Sequence, residues 1–161
     1  MKNKTCCFTG HREIPKEKSK IISIQVEKQI ERLIASNILN FMCGGAIGFD
    51  ILCGESVIKY KELFPEIRLI LALPCKNQNK YFNADDNKKY NFLLANADHI
   101  IYTSETYFRG CMHKRNRYMV DNSAHMISYC IKNSGGSFYT KNYAKSRGLT
   151  IYDLNEFDDI F

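Results

Sequence analysis

The chain has 161 residues, 45% of them apolar and 25% charged, with a formal net charge of +6. That length suits one domain able to bury its own core, no apolar run is long enough to span a membrane, and Met1 to Gly10 contains no signal-peptide stretch, so a cytoplasmic globule without membrane attachment is expected. The charge is uneven: all four acids after Thr150 lie where there is no Lys or Arg, so the first 150 residues carry +10, from 23 bases and 13 of the 17 acids, and such a body points to an anionic partner, a phosphorylated small molecule or nucleic acid.

Thr5 to Thr9 is a short, β-leaning apolar run closed by Gly10 and reads as a buried strand. After Gly10-His11-Arg12 and Pro15, Ile22, Val26, Ile30, Leu33 and Ile34 recur at helical spacing, which predicts a helix from about Lys16 to Asn37. Ile38 to Phe41 reads as a second strand. It leads into Met42-Cys43-Gly44-Gly45-Ala46-Ile47-Gly48-Phe49-Asp50 and a helix over Ile51 to Phe64, ended by Pro65. Three glycines therefore stand at a strand-to-helix turn, where a helix N-terminus offers unpaired N–H groups and a partial positive charge. The spacing is neither that of a dinucleotide fingerprint nor that of a P-loop.

A strand over Ile67 to Leu73 follows, then a polar stretch over 76–90 with Tyr81, Phe82 and Tyr90, which reads either as a lid or loop or as a stacking platform for single-stranded nucleic acid. Next come a helix over Asp85 to Asn96, a strand over His99 to Tyr102, an aromatic loop with Tyr107 and Phe108, a helix over Met112 to Asn122 and a strand over Ala124 to Ile131. A second glycine turn, Asn133-Ser134-Gly135-Gly136-Ser137, opens a helix over Phe138 to Arg147. Gly148 stops that helix and Thr150 to Leu154 is the last strand. Strict alternation predicts an α/β fold, Rossmann-like and three-layered, with a mainly parallel sheet covered on both faces. One domain over 1–155 with an acidic tail over 156–161 is expected. The loops after the strands then gather at one rim, the usual ligand position in such sheets.

Seven cysteines, without a C-x-x-C pair, read as buried thiols in a reducing compartment rather than as a disulfide framework, and no metal or cofactor is expected.

Phe8-Thr9-Gly10-His11-Arg12, Gly44-Gly45-Ala46-Ile47-Gly48-Phe49-Asp50, Leu73-Pro74-Cys75, Arg115-Asn116-Arg117-Tyr118-Met119-Val120-Asp121 and Ser134-Gly135-Gly136-Ser137-Phe138-Tyr139-Thr140 together resemble the YpsA-like family. That family belongs to the SLOG superfamily, with the DNA-processing protein DprA and the LOG phosphoribohydrolases. The resemblance covers nearly the whole chain. It implies a pocket for a nucleotide or a nucleotide-derived, ADP-ribose-like molecule, with phosphate at the glycine turns, in a sensor, carrier or sequestering protein that self-associates. Cleavage of a nucleoside monophosphate and DprA-like binding of single-stranded DNA are the alternatives. LOG enzymes carry a Glu in the segment matching Gly135 to Asn142. No acid stands there in this chain, which leaves Asp50 and Asp121 as candidate acid/base groups and lowers the expectation of an enzyme. For phosphate, Gly44, Gly45 and Gly48 form one set of backbone donors and Gly135 and Gly136 a second. Arg12 and Arg115 are the favoured charged ligands, with Gly10, His11, Asn116, Ser134, Ser137 and Thr140 as further polar contacts, Tyr107 as a base-stacking surface and Asp50 as an acceptor for ribose hydroxyls.

Overall fold

A computed structural model describes residues 1–154, so the expected acidic tail lies outside the described residues. Six strands form one sheet: β1 (Thr5–Gly10), β2 (Asn40–Cys43), β3 (Arg68–Leu73), β4 (His99–Tyr102), β5 (His125–Tyr129) and β6 (Thr150–Asp153). Their spatial order is β4-β3-β2-β1-β5-β6, and every pairing is parallel. Five helices connect them: α1 (Lys16–Ala35), α2 (Phe49–Leu63), α3 (Ala84–Asn96), α4 (Cys111–Asp121) and α5 (Gly136–Ser146). A short 3-10 turn over Lys2–Lys4, absent from the sequence reading, precedes β1.

The two-residue repeat of a strand divides the core between two faces. Phe8, Phe41, Leu69, Leu71 and Leu73 turn toward the apolar stripes of α1, α2 and α3. Cys7, Met42, Ile70, Ala72 and Met126 turn toward Met119 and Val120 of α4 and Ala144 of α5. Buried on both sides, the middle strands read as continuous apolar runs, which is the pattern a parallel sheet imposes.

Strands β1 to β4 step outward in one direction. The chain then crosses to the other side of β1 for β5 and β6, so the order reverses between β1 and β5. Because all strands are parallel, the loops after β1, β2, β3, β4 and β5 leave from the same edge. A crevice at the carboxyl ends beside such a reversal is where open α/β sheets receive ligands.

Candidate functional site

The turn between β2 and α2 is the most constrained part of that edge. Gly48 precedes α2 with φ at +84°, and a Cβ there would meet the backbone carbonyls of Arg12 and of His11, the latter at 2.7 Å. The chain passes this close because the loops after β1 and β2 are tied together: Phe49 N–H donates to His11 O at 3.1 Å. At Gly44 the obstruction is chemical, since a Cβ would stand 2.7 Å from Asp50 Oδ2 and 2.8 Å from Arg115 Nη1.

Asp50 and Arg115 therefore meet beneath the turn. Asp50 is 7% exposed and Arg115 is 3% exposed. Arg115 Nη1 donates to Gly44 O and, at 3.4 Å, to Ala72 O, while its Nε donates to Asn116 Oδ1 at 2.8 Å. The guanidinium, expected from the sequence at the ligand, is spent joining α4 to the ends of β2 and β3. Asp50 Oδ2 accepts from Ala46 N–H at 3.4 Å, and Asp50 O accepts from the Cys43 thiol at 3.0 Å. Burial pushes its carboxyl up to about 6. The Arg115 charge, the Ala46 N–H and the Arg12 charge oppose that rise. Asp50 thus braces the turn from below and lines none of the clefts described next.

Above the turn lie two clefts that share Arg12 and Ile47. One, of about 600 Å³, runs over Ala46, Cys75, Gln78, Lys80, Tyr81 and Tyr107. The other, of about 1000 Å³, occupies the β1–β5 reversal and includes His11, Gly48, Glu55, Lys89, Tyr129 and Lys132. Arg12 is exposed and has no hydrogen bond or ion pair among the described residues. No side chain caps the N-terminus of α2 beside it. Of the expected residues, Gly48 and His11 line one cleft, Tyr107 lines the other and Arg12 lines both, whereas Gly10 and the buried Gly44 and Gly45 line neither.

His11 lines the larger cleft with one ring nitrogen already engaged. Its Nε2 accepts from the Ile131 N–H at 2.8 Å, which puts the proton of the neutral ring on Nδ1, and burial followed by the Lys132 charge holds its pKa below the usual histidine value.

The second glycine turn goes elsewhere. Gly135 and Gly136 line a separate cleft of about 1030 Å³ on the outer side of α4, with Gly110, Lys114, Arg117 and Tyr139. A Cβ on Gly135 or Gly136 would meet nothing within 4 Å, and α5 begins there without a side-chain cap. Ser134 and Ser137 are near it and exposed or nearly so, while Thr140 Oγ1 donates back to Gly136 O at 2.8 Å. Asp121, a candidate acid/base group, lines this cleft but accepts from Tyr143 Oη at 2.7 Å and meets Arg147 Nε at 3.4 Å. It lies at the far end of α4 from Arg115.

The sequence reading missed Gln78, whose Nε2 donates to Gly44 O at 3.2 Å, and whose buried Oε1 has no partner among the described residues. It also missed Lys80 and Lys132. All three lie on irregular segments, where no periodicity marks which way a side chain points.

The family model for YpsA, described as the YspA SLOG family, matches residues 6–156. The SPbeta prophage-derived protein YoqJ of Bacillus subtilis (strain 168) is 32% identical over 147 residues, covering 83% of each chain. A UPF0398 protein of Halalkalibacterium halodurans, BH1768, is 29% identical over 132 residues, covering 80% of this chain and 70% of its own. Among solved structures, DNA processing protein A from Streptococcus pneumoniae superposes with a TM-score of 0.64 at 16% identity, over 92% of this chain and 49% of that one. The same protein from Helicobacter pylori, solved for its single-stranded DNA binding mode, gives 0.67 at 20% identity, over 95% and 70%. This chain thus spans about half of the S. pneumoniae protein, and both likenesses show the fold. With the family model matched across 6–156, the chain belongs to the YpsA SLOG family.

Proposed function

We propose that the chain binds a nucleotide-type small molecule, with its phosphate between Arg12 and the Gly44–Gly48 turn, and serves as a sensor, carrier or sequestering protein. The observation that carries this reading is Arg12 itself: an exposed guanidinium with no hydrogen bond or ion pair among the described residues, standing between two clefts beside the start of α2, which no side chain caps. The clefts on either side suit a ligand with two lobes joined by phosphate, as in an ADP-ribose-like molecule. Ala46 N–H already serves Asp50, so the donors for phosphate are the later N–H groups of the turn and the guanidinium. The prophage origin of YoqJ is consistent with a phage-encoded protein that removes a host signal by holding it.

Binding of single-stranded DNA is the second reading, and a particular observation favours it. Lysines stand over aromatic rings at three places on the same edge: Lys76 over Tyr102 at 6.0 Å, Lys80 over Tyr81 at 5.3 Å and Lys114 over Phe108 at 5.9 Å. Tyr81 is 89% exposed, so charge and stacking surface are interleaved. Glycosidic cleavage has less support, because Asp50 lines none of the clefts and Asp121, which lines the cleft at the second glycine turn, is held by Tyr143 and Arg147.

The test incubates the protein with AMP, ADP-ribose, NAD, cyclic ADP-ribose isomers and a short DNA oligomer, removes the unbound fraction, and analyses what heat releases by mass spectrometry. An intact mononucleotide or dinucleotide recovered in proportion to protein is the expected result. Free base with ribose phosphate means hydrolysis. Retention of the oligomer alone, with affinity falling steeply with salt, means the DNA reading.

A further inference from the structure

The two clefts that meet at Arg12 differ in chemistry, and the difference sorts the parts of a ligand between them. The smaller, of about 600 Å³, has aromatic and apolar walls and no acid among the described residues. Tyr107 stands in it 65% exposed and makes no ring contact with another described side chain, so its ring is open for stacking. Phe82, by contrast, is already set edge-on to Tyr90. Met112 adds an apolar wall, and the exposed Asn77 carries a carboxamide without a hydrogen bond among the described residues. A flat ring with donors and acceptors along its edge, as in a nucleobase, matches such walls.

The larger cleft, of about 1000 Å³, offers the opposite. Its tyrosine, Tyr129, is 1% exposed and packed against Phe49 and His11, which leaves no face free to stack. Glu13, Glu55 and Asp86 line it together with Arg12, Lys89 and Lys132, so three acids cancel three bases and the cleft as a whole does not select an anion. Glu55, half-buried on α2, has no hydrogen bond or ion pair among the described residues, and burial holds its carboxyl above the ordinary pKa against the Lys89 charge. Ser19 and Ser23, one turn apart on α1, bring two hydroxyls that are likewise without a hydrogen bond among the described residues. A carboxylate accepts from O–H groups in short, charge-assisted bonds, and a serine hydroxyl both donates and accepts. A neutral group rich in hydroxyls matches this cleft.

We propose that the ligand is a nucleoside diphosphate carrying a second sugar, with its base in the smaller cleft against Tyr107 and Asn77 and its terminal sugar in the larger one, where Glu55 accepts from neighbouring hydroxyls; this rests on the reading that phosphate lies at Arg12. Arg12, common to both clefts, then meets the diphosphate in the middle. The two ends are not interchangeable. A sugar in the smaller cleft leaves Tyr107 unstacked, and a base in the larger cleft finds no open aromatic face.

Calorimetric titration with three probes tests the assignment. AMP has base and phosphate, ribose 5-phosphate has sugar and phosphate, and ADP-ribose has all three parts. Each is titrated into the wild type, Glu55→Gln and Tyr107→Ala, beside a thermal melt that shows each variant folded. Glu55→Gln is expected to lose about tenfold in affinity for ribose 5-phosphate and ADP-ribose while holding AMP as the wild type does. Tyr107→Ala is expected to lose about tenfold for AMP and ADP-ribose while holding ribose 5-phosphate. On the wild type alone, 2-deoxyribose 5-phosphate should bind more weakly than ribose 5-phosphate, which decides the sugar end even where a variant does not fold. The reverse pattern, losses common to all three probes, or no loss in either variant overturns the assignment and leaves the phosphate reading standing. No binding of any probe to the wild type, or undiminished binding by Arg12→Ala, overturns both.

Discussion

At the scale of single residues, the buried carboxyl–guanidinium meeting under the turn carries the sharpest consequences. Asp50 has its carboxyl pushed up to about 6 from an ordinary 3.8, mainly by burial. The folded state therefore holds a proton between those values that the unfolded chain has released. Stability from this group is fully present below pH 3.8 and is lost as pH rises through about 6. In Asp50→Asn that downward slope disappears, a difference on the order of 2 kcal/mol read from urea unfolding at pH 4 and pH 7. Arg115→Ala leaves Asp50 buried without its cation and removes the bonds to Gly44 O and Ala72 O. A loss of about 3–5 kcal/mol in urea unfolding is expected. Arg115→Lys recovers only part of it, because an ammonium cannot reproduce the fork that also reaches Asn116.

At the scale of elements, the turn from β2 into α2 depends on Gly48. Its φ of +84° and its approach to the His11 carbonyl leave no room for a side chain. Gly48→Ala should cost at least about 1–2 kcal/mol in thermal unfolding and displace the Arg12 loop. Gly135→Ala, facing open space at φ +93°, carries only the backbone strain and leaves the first turn unaffected. The strands and helices themselves were legible in the sequence, the middle strands as continuous apolar runs buried on both faces and α1 as an apolar stripe at helical spacing. The ends were less so. β2 runs Asn40–Cys43 rather than from Ile38, and α2 starts at Phe49 rather than Ile51. A buried strand that continues into a glycine turn has no polar residue to mark its end, and Phe49 and Asp50 joined the helix through tertiary contacts with the β1 loop. The glycine turns and Arg12 were recognisable as chemistry. That Arg115 points inward and that the second glycine turn opens a different cleft were not, since both depend on which side of α4 each loop emerges.

At the scale of the whole molecule, the reversal of strand order between β1 and β5 leaves a crevice at the carboxyl edge, lined by Arg12, Lys89 and Lys132 and by Glu13, Glu55 and Asp86. The two readings of its use separate on ionic strength and on aromatic surface. A DNA-binding edge requires Tyr81, so Tyr81→Ala would weaken oligonucleotide binding by about 1–3 kcal/mol. A single-nucleotide cleft leaves that variant near wild type. The most direct measurement is calorimetric titration of ADP-ribose, AMP and adenosine into the wild-type chain and into Arg12→Ala. Arg12 is exposed and has no hydrogen bond or ion pair among the described residues, so its removal leaves the fold intact. The phosphorylated ligands should bind the wild type, adenosine should bind more weakly, and Arg12→Ala should lose roughly tenfold to a hundredfold in affinity for the phosphorylated ligands alone. Equal binding of adenosine and AMP, or undiminished binding by Arg12→Ala, would contradict a phosphate site at the Gly44–Gly48 turn.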